Sequence, residues 1–170
     1  MENLLIKLKT GLEIMGIELP ETAPNKLIDY LGLLVHWNRA FNLTAIRDSD
    51  EMLSKHLLDS LGVLPYIGEG LILDVGSGAG LPGIPLAIAM PHNRFVLIDS
   101  NGKKTRFLTQ ARITLGLDNV EVVNQRVEAY SPMKDDHRIY FDAVVARAYA
   151  SSNEIIKNTA HLHKPETRIL

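Results

Sequence analysis

Cysteine is absent from the 170-residue chain, which excludes disulfides, a thiolate metal site and a thiol nucleophile together. No apolar run approaches the ~20 residues that a membrane helix needs. The N-terminal stretch Glu2-Asn3-Leu4-Leu5-Ile6-Lys7 also lacks a basic segment followed by an apolar one, so a cytoplasmic protein is the default expectation. Strong net charge is missing too: 18 Lys and Arg face 20 Asp and Glu, a formal charge of −2. That balance argues against coating nucleic acid by bulk charge and leaves only local basic patches open. Internal repeats and low-complexity tracts are not found. What is present is ordinary globular composition, at a length suited to one compact domain with a small appendage.

The texture changes near Gly68-Glu69-Gly70, which divides the chain into a helical extension over 1–67 and a core over 68–170. Upstream, Leu4, Leu5, Leu8, Leu12 and Met15 recur at helical spacing before Gly16, and Leu27, Tyr30, Leu31, Leu34 and Trp37 do so after Pro24. A third helix is predicted after Asp48 or Ser49, with Met52, Leu53, His56, Leu57 and Leu61 on one face. Downstream, short apolar runs at Leu71 to Val75, Phe95 to Ile98, Val120 to Val123 and Phe141 to Ala146 read as strands. Pro82 to Ala89 and Lys103 to Leu115 read as helices between them. This alternation builds an α/β fold, an open doubly wound Rossmann-like parallel sheet whose ligand crevice lies at the carboxyl ends of the strands.

The main chemical signal is Leu71-Ile72-Leu73-Asp74-Val75-Gly76-Ser77-Gly78-Ala79-Gly80-Leu81-Pro82-Gly83, an apolar strand running into a glycine turn where a ligand can approach bare backbone. Asp99 ends the next strand, 25 residues after Asp74, where a carboxylate can accept hydrogen bonds from both hydroxyls of a ribose. Gly78, Gly80 and Gly83 also fit the G-x-G-x-x-G of a dinucleotide fold. However, that frame starts two residues after Gly76, Asp74 puts a negative charge near the position of a pyrophosphate, and Pro82 removes an N–H from the helix start that would bind one. S-adenosylmethionine has no phosphate and carries a cationic sulfonium and ammonium, so Asp74 becomes favourable through space. A dinucleotide, or a glycine turn without a ligand, are the alternatives.

The segment from Asp74 to Leu86 resembles the cofactor loop of the bacterial ribosomal small-subunit methyltransferase G family, also called glucose-inhibited division protein B. The resemblance extends to Trp37-Asn38, Asn42-Leu43-Thr44, His56-Leu57-Leu58-Asp59-Ser60-Leu61, Asp99-Ser100, Lys103-Lys104, Phe107-Leu108, Arg126-Val127-Glu128 and Ala146-Arg147-Ala148. It implies transfer of a methyl group from S-adenosylmethionine to N7 of a guanine in 16S ribosomal RNA, on the naked RNA or on the small ribosomal subunit. It also places Gly76, Leu81, Val127, Glu128 and Arg147 on the family's cofactor-binding positions, beside Asp74, Gly78, Gly80 and Asp99 from the loop reading.

The residues are consistent with that chemistry. Methylation of an exocyclic amino group usually uses a polar-Pro-Pro-aromatic turn after the fourth strand, where this chain has Ala146-Arg147-Ala148-Tyr149. Methylation at C5 of a pyrimidine usually needs a cysteine. Guanine N7 is already a lone-pair acceptor, so positioning and exclusion of water suffice. Arg147, at the end of the fourth strand, is the catalytic candidate, since its charge suits a methionine carboxylate or the guanine O6 edge. The blander reading is an ion pair with Asp142 or Glu128. For Asp99 the corresponding reading is a turn cap, and for Asp74 a carboxylate that ties the loop's own N–H groups.

Lys103, Lys104 and Arg106, with Arg112, form the densest basic stretch and are the RNA-binding candidates, extended by Arg39, Arg47 and Lys55. A solvated helix face is the alternative. His56 and Asp59 read as a hydrogen-bonded pair and not as metal ligands, and Trp37 reads as packing. Two rival functions are an NAD-type oxidoreductase and a non-catalytic RNA- or nucleotide-binding module on the same fold. The terminal Thr167-Arg168-Ile169-Leu170 reads as the opening of a fifth strand, so C-terminal strands are expected to be missing.

Overall fold

The computed structural model describes residues 2–147 and 151–170. Helix α1, Glu2–Met15, buries Leu8 and Leu12. Helix α2, Ala23–Phe41, starts with a proline in its first turn and ends at Asn42 in the left-handed conformation (φ 49°), a cap that Asn tolerates better than most residues. Helix α3, Ser49–Met52, is capped by Asp48, whose carboxylate accepts the Glu51 N–H at 2.9 Å. It runs directly into a π-helical stretch, Leu53–Leu58, and helix α4, Asp59–Leu61.

The core follows as β1, Leu71–Val75; α5, Gly83–Ala89; β2, Arg94–Asp99; α6, Gly102–Leu115; and β3, Val120–Asn124. Then come a hairpin of β4, Met133–Lys134, and β5, His137–Arg138, followed by β6, Phe141–Val145, α7, Ser152–Thr159, and β7, His163–Ile169. The main sheet has the order β3-β2-β1-β6-β7 and every pairing in it is parallel.

Alternate strand residues go to opposite faces, and both faces are covered, which is why these strands are near-continuous apolar runs. Ile72, Phe95 and Leu97 join Leu27, Leu31, Leu34, Phe107 and Leu108 in one cluster, so α2 and the other N-terminal helices share a core with this face. Leu73, Val75, Val96 and Ile98 pack on the other face with Val127, Ile155 and Leu162.

The π-helical stretch, helix α7, the hairpin and the start of β7 depart from the expectation. The β4–β5 hairpin turns through Asp135 and Asp136, both at positive φ (49° and 62°), a turn with the hand that suits a tight hairpin. β7 opens at His163, earlier than expected, because Pro165 and the polar run around it hide the strand pattern. There Thr167 Oγ1 donates to Phe141 O at 2.6 Å and holds the irregular start of the β6–β7 ladder.

Candidate functional site

The glycine loop is built from backbone hydrogen bonds. Gly76 N and Ser77 N both donate to Ile98 O, at 2.9 and 3.1 Å, which pins the exit of β1 to β2. Ser77 Oγ donates to Asp74 O at 2.9 Å, and Gly80 N donates to Ser77 O at 2.7 Å. Gly80 must be glycine: its φ is 85°, and an added Cβ would lie 2.5 Å from Ile84 Cγ1. From the opposite side Tyr30, fully buried on α2, donates its hydroxyl to Ala79 O at 2.6 Å.

A cavity of about 250 Å³ opens at the carboxyl ends of β1 and β2. Gly76, Asp99, Lys104, Arg126, Val127 and Glu128 contribute to its lining. Asp99 Oδ2 accepts the Gly78 N–H at 2.9 Å and Oδ1 accepts the Asn101 N–H at 2.8 Å. Each carboxylate oxygen keeps a second lone pair for a ligand hydroxyl. The loop-cap and ligand readings of Asp99 are therefore compatible. The N-cap of α6 itself is Asn101, whose side chain accepts the Lys103 N–H.

Asp74 lies elsewhere. It is fully buried beneath the loop and does not line the cavity; Oδ2 accepts the Gly83 N–H at 3.0 Å, and Oδ1 has no partner among the described residues. Burial pushes its carboxyl up to about 7, against the opposing effect of the Gly83 N–H. The expected through-space attraction therefore comes from a group only partly ionised at neutral pH. The same contact places a carboxylate at the N-terminus of α5, where a dinucleotide fold would place pyrophosphate.

The other sequence candidates divide. Gly76, Asp99, Val127 and Glu128 line the cavity, as do Arg126 and Gln125, which sequence reasoning did not assign. Gly78 is joined to it through Asp99, whereas Gly80 supports the turn and Leu81 is buried in the apolar core. Lys103 and Arg106 are exposed on α6, but Lys104 is half-buried and turns into the cavity. The position of Gln125 and Arg126 right after β3, next to Val127 and Glu128, is the signal that could have found them.

Arg147 does not line this cavity. Its Nη1 donates to Lys55 O at 3.1 Å and to Asp59 Oδ2 at 3.3 Å, and its Nη2 donates to His56 Nδ1 at 3.3 Å. The ion-pair partner is thus Asp59, in place of Asp142 or Glu128; Asp142 pairs instead with Lys164 and the Leu71 N–H. His56 and Asp59 do not bond to each other, because both face this guanidinium. Burial first, and then the Arg147 charge, hold the His56 imidazolium below its usual range.

Trp37 stacks on Phe41 and tilts against Phe107, at centroid distances of 5.1 and 5.7 Å, as its packing reading requires. Asn42 accepts a hydrogen bond from Arg47. Among the described residues no group of three or more His, Asp or Glu could hold a metal ion. No helix there is long and apolar enough to cross a membrane. Ala148 and Tyr149, the end of the expected turn after the fourth strand, lie outside the described residues.

The family model described as rRNA small subunit methyltransferase G matches residues 23–170. A ribosomal RNA small subunit methyltransferase G from Hydrogenovibrio crunogenus is 53% identical over 160 residues, covering 94% of this chain and 72% of that protein. The protein of the same name from Nitrosococcus oceani is 52% identical, covering 99% of this chain and 75% of its own. Among solved structures, a precorrin-6y C5,15-methyltransferase from Geobacter metallireducens aligns at a TM-score of 0.52 and 20% identity, over 76% of this chain and 64% of that one. A SAM-dependent methyltransferase from Thiobacillus denitrificans, in complex with S-adenosyl-L-homocysteine, aligns at 0.50 and 19%, over 65% and 46%. These two likenesses concern the fold.

Proposed function

The chain belongs to the rRNA small subunit methyltransferase G family, and from that premise we propose that it transfers a methyl group from S-adenosylmethionine to N7 of a guanine in 16S ribosomal RNA. The observation that carries the reading is the cavity at the ends of β1 and β2, where an acidic strand end faces a glycine turn. The residues suit the donor: Asp99 retains acceptor capacity for ribose hydroxyls, Gly76 exposes backbone, Val127 offers an apolar contact and Glu128 an acidic rim. S-adenosylmethionine, when bound there, supplies a methyl group on a cationic sulfur.

The chain's own part is to hold and orient. N7 carries a lone pair, so no side chain has to remove a proton before the carbon–nitrogen bond forms. Arg147 supplies fixed positive charge near the glycine loop, and its effect reaches Asp74 and Tyr30 beneath it. Lys103 and Arg106, exposed on the helix that borders the cavity, are placed to meet RNA phosphates. Either naked 16S RNA or the small subunit fits this surface, and such a substrate places the protein in the cytoplasm.

The test is mass-spectrometric mapping of 16S guanines from cells with and without the protein, joined to transfer from labelled donor in vitro. One N7-methylguanine that disappears with the gene and is restored by purified protein is expected. An unchanged map would overturn the assignment.

A further inference from the structure

Arg147 is held by residues that the methyl-transfer reading does not use. His56 is buried on the π-helical stretch, with Nδ1 3.3 Å from Arg147 Nη2 and Nε2 2.9 Å from Thr44 Oγ1. A guanidinium only donates, so the Arg147 contact favours the tautomer with a lone pair on Nδ1 and the proton on Nε2, facing Thr44 Oγ1, over the one in which Nδ1–H would donate to Lys55 O. Lys55 O, 3.2 Å from Nδ1, accepts a hydrogen bond from Arg147 Nη1 at 3.1 Å. Thr44 is fixed in turn: its N–H donates to Asn38 Oδ1 at 2.9 Å, and its Oγ1 also accepts the Ile46 N–H. Asn38, buried on α2, closes the arrangement by donating Nδ2 to Ile46 O at 3.2 Å.

The chain Asn38–Thr44–His56–Arg147 thus joins the end of α2, the following loop, the π-helical stretch and the end of β6. π-Turns inside α-helices are often found at functional sites, and this one, with Asp59 at the start of α4, presents Lys55 O and His56 to a single guanidinium. Five N–H groups are available on Arg147, and three contacts engage it among the described residues. The Nε–H and one Nη2–H are left over, a pair of donors suited to a carboxylate or to a guanine O6/N7 edge.

We infer that Asn38, Thr44 and His56 are positioning residues that set the tautomer and orientation of the group holding Arg147, so that its two spare N–H donors are aimed at the reacting complex. The inference rests on the methyl-transfer reading. The N-terminal helices are, on this view, part of the reaction centre's support, and the π-helical stretch carries their effect to β6. A residue acting only through Arg147 should lose its effect when Arg147 is gone.

The experiment is a double-mutant cycle of His56→Ala and Arg147→Ala in the full chain, reading S-adenosylhomocysteine affinity by calorimetry and the kcat and KM of methyl transfer to small subunits. His56→Ala alone is expected to lower affinity or kcat by about tenfold, the scale of one hydrogen bond to a charged group, and to add nothing in the Arg147→Ala background. His56→Asn, which can keep an acceptor for Arg147, should recover part of the loss. Thr44→Val, which keeps the shape and removes the hydroxyl, covers the case in which His56→Ala fails to fold. Nitrogen-15 shifts of wild-type His56 should show protonation on Nε2. Additive losses, or a proton on Nδ1, would overturn the relay while wild-type activity stands. Absence of both binding and transfer in the wild type would instead overturn the reading beneath it.

Discussion

The carboxylate of Asp99 accepts the N–H of Gly78 at 2.9 Å, so a residue that lines the cavity also holds the glycine turn in shape. One side chain couples loop geometry to the cavity wall. Removing it therefore has two effects, and a variant that keeps one oxygen separates them.

Asp99→Ala is expected to weaken S-adenosylmethionine binding by roughly 1.5–3 kcal/mol, the worth of hydrogen bonds to a charged group, with Asp99→Asn intermediate. Calorimetry beside thermal melting checks it. Unchanged affinity in a folded Ala variant would remove Asp99 from the site.

For Asp74 the expectation concerns pH. Burial raises its folded-state carboxyl from an ordinary 3.8 to about 7, so over that interval the native state binds more protons than the unfolded chain. Its contribution is fully present at low pH and declines as pH rises from about 4 to about 7, by on the order of a few kcal/mol. Asp74→Asn keeps an acceptor for Gly83 and has no charge to bury. The melting-temperature difference between this variant and the wild type should grow in the variant's favour across that window. A constant difference would mean that Asp74 is ionised throughout.

Arg147→Ala should abolish most methyl transfer while costing only about 0–1 kcal/mol through its ion pair, because Asp59 is 61% and Arg147 30% exposed. It should also raise the His56 titration seen by NMR, since one of the two influences holding that imidazole neutral is the Arg147 charge. Normal turnover with a lowered melting point would make Arg147 a structural tie.

Tyr30→Phe removes the buried donor to Ala79 O and leaves that carbonyl short of a partner. A loss of about 1–3 kcal/mol in urea denaturation is expected, with weaker S-adenosylmethionine binding as the loop loosens. Full stability would show that the carbonyl finds another donor.

Lys103→Ala and Arg106→Ala should each lower the salt slope of RNA binding by about 1 and leave donor affinity alone. Lys104→Ala should weaken the donor, because its side chain lines the cavity. Equal effects of all three on RNA alone would put Lys104 with the phosphates.

The strands, the glycine turn and Asp99 are legible in the sequence because their signals are local: apolar runs of one strand's length, glycines where φ is positive, and an acid at a strand end. Asp74 has the same local signature as Asp99, but only the fold shows that α5 starts over it and buries it. The partner of Arg147 is unreadable for a different reason. Asp142 is close to it in sequence, yet its carboxylate is taken by Lys164 and Leu71, and Asp59 reaches Arg147 across 88 residues of chain. The hairpin at Asp135 and Asp136 escapes because its strands are two residues long, too short for any alternation to register.

The strand order β3-β2-β1-β6-β7 has a consequence during synthesis on the ribosome. β1 is the middle strand, and its first neighbour β2 emerges soon after it, but its other neighbour β6 pairs Ala143 with Ile72, about 70 residues later. At roughly 5–20 residues per second the open edge of β1 waits about 4 to 14 seconds for its partner. During that interval Leu73 and Val75 lack the covering that Phe141 and Val144 later provide, and a bare parallel edge is the feature that recruits another chain. The edge left open during synthesis is thus the one that the finished sheet places at its centre.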